Sequence, residues 1–168
     1  MTWWVILIEE AAFAALFTVI VFWASRGEKL YSPATIHNYP PDIQAEYFKT
    51  HERVDVSYKS RGVILTKGLG VLAFTVILFG CALLAGAQTF WQGFLLTFGL
   101  MAWIGAYDTF FLDWVLFANM KRFRLEGTEH MDQAYHQKWF HLKGMLFPGV
   151  IFGLIPAALV GLLITWVR

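Results

Sequence analysis

The sequence predicts an all-α polytopic membrane protein, a four-transmembrane-helix bundle with a short amphipathic cytoplasmic helix in its first loop. Three observations lead there. The 168 residues are 58% hydrophobic and 15% charged, with a mean hydropathy of +0.54, whereas a soluble domain carries about a quarter charged residues. Four segments reach the roughly 20 apolar residues needed to cross hydrocarbon. The basic residues gather in the two long connections between those segments.

The first span is expected over 3–24, the second over 63–87, the third over 90–117 and the fourth over 142–167. Thr2-Trp3-Trp4 opens straight into an apolar run with no preceding Lys or Arg. It does not read as a conventional signal peptide, so the first helix should remain attached. Only a turn around Gln88-Thr89 separates the second and third spans, which must therefore form an antiparallel hairpin. No Ser-, Gly- or Pro-rich linker divides the chain, so residues 1–168 are expected to form one transmembrane domain.

Lys and Arg close to a membrane are retained on the cytoplasmic side. The region 25–62 with its edges holds Arg26, Lys29, Lys49, Arg53, Lys59, Arg61 and Lys67. The region 118–141 with its edges holds Lys121, Arg122, Arg124, Lys138 and Lys143, and the opposite side has only Arg168. Twelve cations against one place both loops in the cytoplasm. The expected location is the plasma (inner) membrane, multi-pass, N-out/C-out. Tryptophans then fall at both interfaces, Trp3, Trp4, Trp91 and Trp166 outside and Trp23, Trp114 and Trp139 inside.

In the first loop, Asn38-Tyr39-Pro40-Pro41-Asp42 is a stop-and-restart signal, with Pro41 suited to a first helical turn. From Asp42 to about Val54, Ile43, Tyr47, Phe48, His51 and Val54 recur at helical spacing, opposite Glu46, Lys49 and Glu52. The segment reads as a helix on the membrane surface or capping the bundle. A helix packed on the other loop is the alternative.

Helices in lipid associate through close backbone approach. Gly149, Gly153, Ala157 and Gly161 make a small-residue stripe on the fourth span, beside Pro156, which deprives the Phe152 carbonyl of a donor. Gly99, Ala102 and Ala106 make a second stripe on the third span. Together they could join these two helices or form a homodimer.

An acidic residue near the centre of a spanning helix costs about 2.5–3.5 kcal/mol on insertion scales, so each one needs a reason. Glu9 and Glu10 lie about two turns into the first span and point about 100° apart. Small neighbours (Ala11, Ala12, Ala14, Ala15) leave room for water or a partner helix. They suit a proton-coupled or cation site opening outward, or carboxyls serving as interhelical glue. Asp108 and Asp113 occupy the inner half of the third span and, in α-helical geometry, diverge by roughly 140°. Asp113 can pair with Arg122, Lys138 or Lys143. Asp108, deeper and beside Gly105 and Tyr107, is the foremost candidate for a functional residue.

The stretch 126–141 offers Glu126, Glu129, His130, Asp132, Tyr135, His136 and His141. Asp132 and His136 would stand one helical turn apart, a spacing that metal chelation uses, with His141 further along and close in depth to Asp113. There is no HExxH and no cysteine pair. Cys81 is the only cysteine and reads as an apolar filler. The sequence leaves any cofactor unknown, since it has no P-loop, dinucleotide fingerprint, nucleophile elbow or haem-attachment motif.

Three functions are compatible with these residues. The leading expectation is transport or ligand binding by a small carrier whose buried carboxylates bind a cation or couple proton movement to an amphipathic or aromatic substrate, as a homo-oligomer. The second is an accessory structural subunit of a membrane complex. The third is a membrane-embedded enzyme acting on a lipid or amphipathic substrate at the cytoplasmic face through Asp108, Asp113, His136 and His141. The lipid bilayer is the expected partner, and a net charge of +1 gives no reason to expect nucleic acid.

Overall fold

Residues 1–24, 36, 38–53 and 61–168 are described by the computed structural model, and among them every regular element is helical. The elements run α1 (Trp3–Ala24), α2 (Pro41–Tyr47), α3 (Arg61–Leu84) and α4 (Phe90–Tyr107), which continues into a π-wound segment (Asp108–Phe117). A 3-10 turn (Lys121–Phe123) then leads to α5 (Asp132–Tyr135), α6 (Lys138–Gly144), a π-wound turn (Met145–Gly149) and α7 (Val150–Val167). Four helical stretches are long and apolar enough to cross a membrane: Trp3–Trp23, Ile64–Leu84, Phe90–Phe117 and Asp132–Val167. They coincide with the four expected spans, except that the fourth carries helical residues well before position 142.

Both termini and the hairpin turn lie at one end, here the turn end. Thr2 N–H donates to the Ala85 carbonyl at 2.8 Å, tying the start of α1 to the close of α3. Gly86 terminates α3 at φ +79°, a conformation that disfavours any residue with a Cβ. Thr89 then caps α4 by accepting from Gln92 N–H at 3.3 Å, while Gln92 Oε1 accepts from Gln88 N–H at 2.8 Å. This is a variant of the capping box, and it helps the five residues 85–89 to turn the chain.

The most extensive interface joins α4 and α7. A Cβ on Gly161 would stand 2.8 Å from the Phe90 ring, and one on Gly93 would stand 2.9 Å from Ile164 and 3.3 Å from Gly161 Cα. Gly153, Ala157 and Gly161 are buried there, as the stripe on the fourth span predicts. The facing stripe on α4 is Gly93, Leu96, Thr97 and Leu100 rather than Gly99, Ala102 and Ala106. Nothing approaches within 4 Å of a Cβ on Gly99. The side of α4 that meets α7 was thus set by Gly93 at the crossing point, not by the longer run of small residues. Around this contact Leu78, Ala82, Leu96, Leu100, Val160 and Ile164 form the bundle core, with Val5, Ile6 and Phe13 of α1 packed against it. The outward faces carry Leu7, Ile8, Leu16, Ile20, Leu69, Val76 and many other exposed apolar side chains. An apolar belt of that extent suits hydrocarbon, not water.

At the other end, the loop end, the two connections fold on each other. Ile43 of α2 is fully buried with Tyr39, Leu125 and Tyr135. Tyr39 O–H donates to Phe123 O at 3.1 Å, and Gln137 donates to Asp42 at 2.7 Å. Packing on the second loop is therefore the observed arrangement, and the helix ends at Tyr47, earlier than the residue pattern suggests. His51 stacks back on Tyr47 instead, at 3.9 Å between ring centroids. Val54 lies outside the described residues.

Candidate functional site

Two departures from α-geometry shape the loop end. The first is the π-winding of Asp108–Phe117, whose closing contact runs from Ala118 N–H to the Asp113 carbonyl, five residues back. Hydrogen bonds between residues five apart set those residues nearly one above the other. Asp108 and Asp113 are so related, five residues apart within the same π-wound segment. The 140° divergence calculated for an α-helix therefore does not apply. The second departure is at Phe147, whose φ of −144° and ψ of +109° are extended, in front of Pro148. The fourth span is broken there, one turn after α6 ends. Pro156, the other suspected kink, remains within continuous α7.

Where these irregularities face each other, a cavity of about 320 Å³ opens. Its walls include Phe17 of α1, Phe98 and Met101 of α4, Thr109 of the π-wound segment, and Met145 and Gly153 of the fourth span. Asp108 is the one ionisable side chain among the described residues lining it. Glycine at 105, 144, 149 and 153 keeps the walls back from the centre.

Asp113 is held by histidine, not by the lysine or arginine residues expected of it. Its Oδ2 lies 2.8 Å from His141 Nδ1, and the two side chains are 23% and 7% exposed. An ionised carboxylate only accepts, so Nδ1 carries the proton in this pair and Nε2 is the free ring nitrogen. Nε2 is buried and has no hydrogen-bond partner among the described residues. Phe117 packs against the ring at 5.3 Å. Two of the cations predicted for Asp113 go elsewhere: Arg122 donates to the Phe22 carbonyl at 3.0 Å, and Lys138 lies 5.1 Å over the Trp114 ring.

Tyr107 also ties this region to α1. Its hydroxyl lies 2.8 Å from Thr18 Oγ1, which itself donates to Ala14 O at 2.8 Å, so Tyr107 donates to Thr18. Glu9 and Glu10 do not join the site. Glu9 is buried toward α3 beside Cys81, with neither carboxyl oxygen in a conventional hydrogen bond among the described residues. Glu10 offers its backbone carbonyl to Trp103 Nε1 at 3.2 Å. The acidic residues of the spans thus fall into two places: the turn-end half, where Glu9 lies beside α3, and the cavity region.

Asp132, His136 and His141 are likewise held by three different partners. Asp132 pairs with Arg124 at 2.6 Å, and His136 Nδ1 meets the Asp132 backbone carbonyl at 2.8 Å on the surface. Among the described residues no group of three or more His, Cys, Asp and Glu side chains has a metal-binding arrangement. Sequence reasoning also missed the cavity walls Phe17, Phe98 and Met145. The available signal was Gly144 with Pro148-Gly149, a helix-breaking cluster inside an apolar span, which a bilayer tolerates where it lines a cavity. Comparison of the chain with protein-family models, curated proteins and solved structures finds no match in any of the three.

Proposed function

We propose that the protein is a small carrier or ligand-binding protein of the plasma (inner) membrane, in which Asp108 binds a cation or exchanges a proton on behalf of a ligand. One observation carries this reading. A carboxylate sits in an apolar cavity where one spanning helix is broken and another is π-wound. Broken helices and intramembrane acids occur together at substrate and ion sites, because irregular backbone and buried charge are both too costly to keep against lipid. The proposed orientation has both long connections in the cytoplasm and both termini outside, supported by the twelve-to-one bias of basic residues. The cavity would then lie nearer the cytoplasmic face.

The test is proton movement. Purified protein in liposomes loaded with a pH-sensitive dye should release or take up protons when a transported amphipathic cation is added outside, and Asp108→Asn should abolish the signal. A ligand-induced signal that survives Asp108→Asn would defeat the proposal.

A second reading has its own support in the Asp113–His141 pair. A carboxylate that fixes the histidine tautomer and leaves Nε2 free is the arrangement of a general base. It suits proton abstraction from an amphipathic substrate at the loop end. His136 plays no part in this version. Turnover of vesicle lipids that is lost in His141→Gln would favour it over transport.

A further inference from the structure

We propose that the Asp108 cavity receives a small organic cation of single charge with an apolar body, such as an aromatic ammonium; the inference rests on the carrier reading above and names its substrate class. Four alternatives are weighed by the chemistry of the walls. An anion would share the cavity with the Asp108 carboxylate, and no lysine, arginine or histidine among the described residues lines it to compensate. Hard divalent cations such as calcium and magnesium take about six to eight oxygen ligands, water included. The side chains here supply the carboxylate and the Thr109 hydroxyl, and the remaining side chains are hydrocarbon and thioether. A neutral apolar molecule would desolvate the carboxylate without replacing its hydration. A dication would retain an uncompensated charge in an apolar enclosure.

A monocation with a hydrocarbon body meets every wall. Its charge opposes Asp108, the rings of Phe17 and Phe98 can face a cationic group, and Met101 and Met145 adapt to an irregular apolar outline. The volume of about 320 Å³ sets the size. Small-molecule sites run from about 300 to 1,000 Å³, so this one suits a ligand of one ring, not several.

The experiment uses the full chain in lipid nanodiscs and equilibrium titration calorimetry with benzyltrimethylammonium. Its uncharged isostere neopentylbenzene and sodium ion are the comparison probes. The quaternary cation should bind, neopentylbenzene and sodium should not, and Asp108→Asn should weaken the cation at least about tenfold, the scale of one lost charge contact at partial burial. Gly105→Leu fills the cavity without altering the carboxylate and should also remove binding, which separates occupancy from charge. Retained thermal unfolding midpoints certify that both variants fold. Equal binding of cation and isostere, unaffected by Asp108→Asn, would overturn the cation class while leaving a ligand-binding protein. Sodium binding that depends on Asp108, with no binding of the organic cation, would overturn the organic class and leave the carboxylate carrier. Silence of all three probes together with no Asp108-dependent proton movement would remove both proposals.

Discussion

The turn-end and loop-end halves of the bundle are built from the same spanning helices but solve opposite problems. At the turn end α4 and α7 approach until Gly93 and Gly161 leave no room for a methyl group, and Leu100, Val160 and Ile164 are almost wholly buried. At the loop end the same two chain segments separate. One is π-wound from Asp108 and the other is broken at Phe147, and a cavity with a carboxylate replaces the packed core. In a bilayer, where hydrophobic association contributes little, close backbone contact of this kind is what holds helices together. Stability concentrated in one half lets the other half carry irregular backbone and polar groups.

The contrast can be broken most severely at Gly161. Replacing it with leucine should destabilise the bundle by about 3 kcal/mol, the upper part of the range for overpacking, because its Cβ meets the Phe90 ring and carbonyl. Gly99→Leu, on the open side of α4, should change the denaturation midpoint in detergent little by comparison. Equal losses at the two glycines would mean that the α4–α7 contact is not the one that matters.

The cap over the loop end should respond separately. Ile43→Ala should cost about 2 kcal/mol, low for a fully buried isoleucine because a short helix can settle into the gap. The readout is faster proteolysis within residues 38–53 while the spans stay protected. Asp113→Ala should cost about 1–2 kcal/mol, since it strands the second buried nitrogen of His141. Asp113→Leu combined with His141→Phe should recover most of that loss, as expected for a pair replaced together by apolar groups, whereas additive losses would rule out direct pairing.

The smallest effect is expected at Glu46. Its hydrogen bond with the Lys49 ammonium at 2.6 Å, on an exposed part of the cap, holds the carboxyl below its ordinary value of 4.5. A lowered carboxyl stabilises above its unfolded value and loses that contribution as pH falls through the folded one. At such exposure the ion pair is screened and contributes little. Glu46→Gln should therefore leave the unfolding midpoint unchanged at neutral pH and at pH 4, and a clear shift would assign the cap a larger electrostatic role.

Much of the architecture was legible because apolar runs long enough to cross hydrocarbon leave few options. Every span must be a helix of about 20 residues, so the four stretches and the hairpin at Gln88-Thr89 follow from run lengths and one turn. The fourth-span stripe was legible for a related reason, since small residues at intervals of four admit a neighbour. Its partner face was misread because Gly93 stands alone in sequence and gains meaning only from Gly161 across the contact. The site was half legible. Asp108 was identifiable by the cost of burying an acid, and Tyr107 by adjacency. The relation of Asp108 to Asp113 was not, because π-winding is set by tertiary packing and changes which residues share a side. Pairing of Asp113 with His141 was equally hidden. It brings together positions 28 residues apart across the break in the fourth span, while nearer arginines and lysines are drawn to carbonyls and rings.

Cysteine accessibility tests the division of the bundle into a packed half and an open half most directly. In a Cys81→Ala background, single cysteines at Gly105 and Met145, which line the cavity, and at Thr97, fully buried in the packed half, are treated in nanodiscs with a small cationic methanethiosulfonate. Modification is expected at 105 and 145, slowed by benzyltrimethylammonium, and none at 97. Unreactive cysteines at 105 and 145, or equal reaction at all three positions, would contradict the division.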